Sequence, residues 1–140
     1  MDAKRFAIGT LAGGISVLAS GYAIFLIGPL RNFLVYAMTA GAATGVAREP
    51  PLLWAVALGA LAYGALVTFA IGRQARPLTI GSGIRTGAVV GFLLWFTADF
   101  MFYGISNVGN LTGTIIDPLF ELLPGAIAGG VIAIVLGRIQ

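Results

Sequence analysis

Residues 115–137 read IIDPLFELLPGAIAGGVIAIVLG, an apolar stretch whose only charged residues are Asp117 and Glu121. As a helix, a stretch of this length covers about 35 Å. The hydrocarbon core of a bilayer is about 30 Å thick. The stretch therefore predicts a transmembrane helix, and it sets the class of fold in which the rest of the chain is interpreted.

Three further stretches have a similar length and character, at about residues 6–30, 51–72 and 84–106. Together the four predict an all-α membrane protein with four transmembrane helices, and they leave little room in residues 1–140 for a soluble domain. The composition agrees, since 9% of the residues are charged and the mean hydropathy is +0.99. Soluble domains carry about 25% charged residues, so a water-soluble globular protein is excluded. The high hydrophobicity also excludes a disordered chain.

The segment at about residues 32–47 allows two interpretations. It is apolar but would form only about 24 Å of helix, so it is either a short interfacial or re-entrant helix or a fifth, undersized span. With four spans and a cytoplasmic N-terminus, six basic residues lie in the cytoplasm, and Arg31 and Arg48 lie outside. With five spans the basic residues divide equally. The positive-inside rule therefore favours four spans with both termini in the cytoplasm.

Lys4 and Arg5 precede the first apolar run, as basic residues do in a secretory signal peptide. The run continues to Leu30, however, which is too long for the apolar region of such a peptide. We therefore expect the first span to be retained.

Small residues recur at a spacing of four along the predicted spans. The chain contains 21 glycines, and the clearest pairs are Gly9/Gly13, Gly87/Gly91 and Gly125/Gly129. Helices associate in a bilayer through close packing of such small residues. The pattern predicts a tight four-helix bundle, and it fits either internal packing alone or a further face for homo-oligomerisation. Pro124, inside the fourth span, predicts a kink.

Three acidic residues, Asp99, Asp117 and Glu121, fall in the third and fourth predicted spans. Asp99, Tyr103 and Asn107 are spaced to share one face of a helix, as are Asp117 and Glu121. Because the two spans are antiparallel neighbours, we expect Glu121 to lie at a depth similar to that of Asp99 and the three carboxyls to converge. A carboxylate at bilayer depth costs roughly 2.5–3.5 kcal/mol, and two carboxyls in one poorly solvated pocket do not both ionise readily.

This predicted polar site allows a functional and a structural interpretation. In the first, the carboxyls hold a proton or bind a cation or another ligand. In the second, Asp117 caps the fourth helix near its N-terminus, Asp99 bonds to a neighbour on its own face, and Glu121 pairs with an arginine at the outer interface. The spacing of the acids fits both interpretations.

Histidine and cysteine are both absent from the chain. Their absence excludes disulfides, Cys/His zinc sites, His-ligated haem, and thiolate or imidazole nucleophiles. The sequence also has no glycine-rich phosphate loop. We therefore expect no enzymatic activity, no metal or cofactor and no nucleic-acid partner. The expected partners are the lipid bilayer and other membrane-embedded chains.

Several polar and glycine motifs follow one another between about residues 85 and 137: Gly91-Phe92-Leu93-Leu94, Asp99, Tyr103-Gly104, Ser106-Asn107, Asp117-Pro118, Glu121 and the glycine-rich stretch 125–130. In these motifs the chain resembles small four-span bacterial inner-membrane proteins of unknown function. Those proteins similarly combine a polar turn after the third span, an aspartate opening the fourth span and a glycine-rich last helix. The resemblance implies a four-helix membrane fold in the inner (cytoplasmic) membrane, and it implies no particular activity.

Two functions fit these expectations. The first is a structural or accessory subunit of a membrane assembly or homo-oligomer, because the chain consists of little besides small-residue helices. The second is a small proton- or cation-handling transporter or channel component that uses the carboxyls of Asp99, Asp117 and Glu121. A chain of 140 residues is short for a transporter built from inverted repeats, so this second function would require a dimer.

Overall fold

The computed structural model of the chain describes residues 1–29, 50, 52–74, 77–106 and 109–139. These residues form four helices and no strands, and each helix is long and apolar enough to cross a membrane. The helices are α1 (Ala3–Leu26), α2 (Leu53–Gly72), α3 (Ile80–Ile105) and α4 (Leu111–Arg138). The predicted all-α fold with four helices of transmembrane length is thereby confirmed. The short helix predicted at about residues 32–47 lies outside the described residues.

Side-chain caps mark the starts of α1, α3 and α4, and at α3 and α4 they explain the differences from the predicted boundaries. α3 begins at residue 80 rather than about 84, because Thr79 and Ser82 form a reciprocal capping box with hydrogen bonds of 3.1 and 3.0 Å. α4 begins at residue 111 rather than about 115, because Asn110 Oδ1 accepts a hydrogen bond of 2.8 Å from the backbone N–H of Gly113. Hydropathy locates an apolar run, whereas capping polar residues locate its helical start.

Prolines do not interrupt the last helix. α4 contains Pro118 and Pro124 and is helical from end to end, and both prolines are buried. A proline lacks the N–H that would bond to the preceding turn, and a break at Pro124 would have exposed the carbonyls of that turn. The uninterrupted helix instead carries Asp117 and Glu121 on one continuous element.

The helices pack as two close pairs, α1 with α2 and α3 with α4, and the pairs are joined chiefly by α1 against α4. α2 has smaller contacts with α3 and α4, whereas α1 and α3 do not touch. At one end of the bundle α1 begins and α4 ends, and there the Arg5 guanidinium donates a hydrogen bond of 3.1 Å to the Leu136 carbonyl. We call this the terminal end. The opposite end, where α3 ends and α4 begins, is called the turn end.

The α3–α4 pair is held by backbone-to-backbone contact at glycine. A Cβ atom added to Gly87 would overlap the carbonyl oxygen of Gly125, and one added to Gly83 would overlap that of Gly129. At Gly91 an added Cβ would lie 2.6 Å from the carbonyl oxygen of the α4 residue Glu121. The helix axes can approach this closely only because these positions lack side chains. We call the five residues Gly83, Gly87, Gly91, Gly125 and Gly129 the glycine seam.

A second small-residue contact holds α1 against α2. An added Cβ on Gly13 would lie 3.0 Å from the Gly64 Cα and 2.7 Å from the side chain of Ile132 on α4. At Gly9 it would lie 2.6 Å from the side chain of Thr68, which is fully buried. Gly9 and Gly13 therefore face α2, and Gly13 also faces α4, inside the chain's own bundle.

Candidate functional site

The register of the glycine seam sets the level of every residue along α3 and α4. The seam pairs Gly83 with Gly129, Gly87 with Gly125, and Gly91 with Glu121. Glu121 therefore lies level with Gly91, two helical turns from Asp99 along α3, and the prediction that Glu121 and Asp99 share one depth was wrong. Spacing along the sequence predicts only an approximate membrane depth for each residue. The contacts of the glycine seam fix the axial position of α3 relative to α4.

Side-chain direction brings Asp99 and Asp117 together across this register. In a helix the Cα–Cβ bonds tilt towards the N-terminus. α3 and α4 are antiparallel, so Asp99 leans towards the terminal end and Asp117 leans towards the turn end. The two carboxyls lie close enough to interact directly with each other. Glu121 leans in the same direction as Asp117. Its electrostatic interaction with Asp117 is stronger than that with Asp99.

The carboxyl pair of Asp99 and Asp117 is short of hydrogen-bond donors. Asp117 is only 7% exposed, and the Oδ2 atoms of both residues are buried without a donor among the described residues. Ionised carboxylates only accept hydrogen bonds, and a buried polar group without a partner is costly. A proton shared by the two carboxyls would supply the missing donor and remove one of two adjacent negative charges.

An open cleft at the turn end leads to the carboxyl pair. Its volume is about 160 Å³, and its lining includes Asp99, Phe102, Tyr103, Ser106, Thr114 and Asp117. The hydroxyl of Ser106 donates to the Phe102 carbonyl at 2.8 Å, and that of Thr114 donates to the Asn110 carbonyl at 2.9 Å. Because both hydroxyl hydrogens are engaged within the helices, these side chains offer the cleft oxygen lone pairs.

The other residues of the predicted polar site have different positions. Tyr103 is 42% exposed and contributes to the cleft wall. Asn107 lies outside the described residues. The structural interpretation in which Asp117 caps α4 was wrong, because the N-cap is Asn110 and Asp117 lies in the second helical turn. Asp117 therefore occupies a buried position inside the helix. Helix capping does not explain why a carboxyl is buried there.

Tyr63 on α2 belongs to the same polar region and was not among the residues predicted for the site. The residue is 6% exposed, and its hydroxyl fills the space that Cβ atoms on Gly91 and Gly125 would take. The hydroxyl has no hydrogen-bond partner among the described residues and lies within electrostatic range of Glu121. A tyrosine in the middle of an apolar span was the available signal, because its hydroxyl needs a partner or water.

The bundle is filled with apolar side chains beyond Tyr63 towards the terminal end. Tyr63 packs in one buried cluster with Val67, Ile71, Ile132 and Leu136. Val67 and Ile132 have no exposed surface. The polar region therefore opens through the cleft at the turn end, and the apolar cluster closes it on the other side.

The described ionisable side chains of this polar region all carry oxygen atoms. Among the described residues there is no group of three or more side chains of the metal-binding types His, Cys, Asp and Glu placed to hold a metal ion. The site instead offers two adjacent carboxyls, a third carboxyl one turn along α4, and the buried phenol of Tyr63. Comparisons of the chain with models of protein families, with curated proteins and with solved structures found no match.

Proposed function

We propose that this protein is a structural or accessory subunit of a membrane assembly, either a homo-oligomer or a larger complex. The observation that carries the proposal is the incomplete covering of α3. Its buried residues are the three seam glycines Gly83, Gly87 and Gly91, so α3 adheres to α4 by one narrow stripe. Many of its other positions present apolar side chains outward, including Phe96 and Phe100, whose rings are tilted against each other with centroids 4.5 Å apart.

We further propose that the protein resides in the inner (cytoplasmic) membrane with both termini in the cytoplasm. The distribution of charge supports this orientation. The basic residues among the described positions all lie on the terminal half of the bundle, namely Lys4, Arg5, Arg73, Arg85 and Arg138. Cytoplasmic loops carry such an excess of Lys and Arg. The resemblance to small four-span bacterial inner-membrane proteins agrees with this location and stays a prediction.

Cysteine cross-linking in native membranes tests the subunit proposal, because the chain has no cysteine of its own. Val89→Cys places a thiol on the uncovered side of α3, where Val89 is 50% exposed, and Ile15→Cys places one on α1, where Ile15 is 64% exposed. We expect covalent dimers, or adducts with one defined partner, from Val89→Cys and not from Ile15→Cys. A protein that forms adducts at neither position and is extracted as a lone monomer would contradict the proposal.

A second candidate function is supported by the convergence of Asp99 and Asp117. In this proposal the protein is a proton- or cation-handling component that uses these carboxyls together with Glu121. Buried ionisable residues in membrane spans are costly and commonly mark ion pathways. The carboxyl pair, its lack of donors and the cleft beside it are what the proposal rests on.

Flux measurements in proteoliposomes test this second function. We expect proton or monovalent cation flux in the wild-type protein, and its loss in Asp99→Asn and Glu121→Gln, which remove a charge at nearly constant volume. Asp2→Asn is the matched control, because Asp2 lies outside the polar region and Asn keeps its hydrogen bond to the Arg5 N–H at the start of α1. A wild-type protein without flux, or flux unchanged in both variants, would exclude this function.

A further inference from the structure

The cleft and the carboxyl pair also indicate what the site takes up, an inference that rests on the second function proposed above. We propose that Asp99 and Asp117 together bind one small monovalent cation, such as ammonium or an alkali ion. The cation enters from the cleft at the turn end and replaces the proton that the two carboxyls otherwise share. Entry from the opposite side is closed by the buried cluster around Tyr63 and Val67.

The chemistry of the cleft lining selects for positive charge. The Ser106 and Thr114 hydroxyls donate within their own helices, so they face the cleft as acceptors, beside the carboxyls of Asp99 and Asp117. Oxygen lone pairs are the preferred ligands of hard cations. An ammonium ion would in addition donate hydrogen bonds to the carboxyls that line the cleft. Among the described residues, the lining contains no lysine or arginine.

The cleft has room for a small ion. Its volume of about 160 Å³ exceeds the roughly 10–15 Å³ that one water molecule needs. A partly hydrated alkali ion or an ammonium ion therefore fits this space. The rings of Phe102 and Tyr103 lie in the cleft wall and offer a further favourable surface for a cation.

The charge of the pair matches one monovalent ion. Two carboxyls that share one proton carry a single negative charge. When a cation binds, the shared proton leaves to water in the cleft, and the second negative charge is balanced by the incoming ion. Divalent Mg²⁺ and Ca²⁺ take about six or more oxygen ligands, and the described residues hold no larger group of metal-binding side chains.

Proton and cation therefore compete for the same pair, so acidification should weaken cation binding. Among the described residues, two further ionisable groups lie near the pair: Glu121 on α4, which interacts with both carboxyls, and Tyr103 on α3, which lines the same cleft. Tyr63 on α2 interacts with Glu121. When ionised, Glu121 adds negative charge one turn along α4 from Asp117. This charge further favours binding of a cation at the pair.

Single-cysteine labelling tests the assignment without depending on transport. Ser106→Cys places the only thiol of the chain in the cleft, and Ser20→Cys is a matched control on α1. Both serines are partly exposed, lie towards the turn end and donate to the carbonyl one turn earlier, at 2.8 Å for Ser106 and 2.7 Å for Ser20. A cationic and an anionic thiol reagent of equal size are applied to each variant, and the ratio of their rates is measured.

We expect the cationic-to-anionic rate ratio at Ser106→Cys to exceed that at Ser20→Cys by about tenfold or more, as for other clefts lined by one sign of charge. Ammonium ions should slow labelling at Ser106→Cys, less so at lower pH, and not at Ser20→Cys. Adding Asp99→Asn or Asp117→Asn should abolish both effects. Equal ratios at the two positions, or an ammonium effect that persists in both Asn variants, would overturn the assignment. A protein that passes this test but shows no flux would have the cation site and lack the transport function.

Discussion

Single glycines determine how closely α3 and α4 approach. At Gly87 an added Cβ would meet not a flexible side chain but backbone atoms, the Gly125 carbonyl group and the Gly129 Cα. Backbone cannot move aside without moving the whole helix. In contrast, an added Cβ on Gly81, in the first turn of the same helix, would have no neighbour within 4 Å. Close helix packing therefore requires a glycine at position 87, whereas it does not require one at position 81.

Gly87→Ala is expected to destabilise the protein by about 1–3 kcal/mol, the range of overpacked cores. The higher helix propensity of alanine, worth roughly 0.5–1 kcal/mol, offsets part of this loss. Gly81→Ala should gain the propensity without the overlap and leave the melting temperature unchanged or slightly raised. Thermal unfolding in detergent measures both. An equal change in the two variants would contradict the assigned role of the seam.

At the scale of the element, the first turn of α4 forms a wall of the candidate site. Asn110 caps this turn through Gly113, and the Thr114 N–H donates to the Asn110 carbonyl at 3.0 Å. Gly113 and Thr114 both line the cleft. The cap therefore fixes the helix start and, with it, the shape of the cleft.

Asn110→Ala should cost about 1 kcal/mol through loss of the cap, and the loss should be felt locally. We expect faster hydrogen exchange at the amides of Gly113 and Thr114, with little change in the middle of α4. Asn110→Ser keeps a capping oxygen and serves as the control. Faster exchange along the whole helix, or unchanged exchange in its first turn, would contradict a local capping role for Asn110.

At the scale of the whole molecule, hydropathy was sufficient to predict the class of fold. Each of the four apolar stretches forms a helix of transmembrane length, because in lipid a spanning segment must satisfy its backbone groups internally. The exact helix starts needed the caps Thr79 and Asn110, which are polar residues outside the apolar runs.

The candidate site was predictable only in part, because spacing along one helix does not fix how two helices stand against each other. Asp99 and Asp117 were expected near each other and do meet. Glu121 was placed too near Asp99, since its level depends on the contact with Gly91. Tyr63 comes from α2, and no spacing within α3 or α4 points to it.

The glycine seam also has a consequence for conformational entropy. When helices pair through long side chains, each side chain loses rotamer freedom, by as much as about 2 kcal/mol for the longest. The seam residues have no rotamers to lose, and their backbone is already ordered once each helix has formed. The α3–α4 pair therefore associates with little restriction of side chains along the seam.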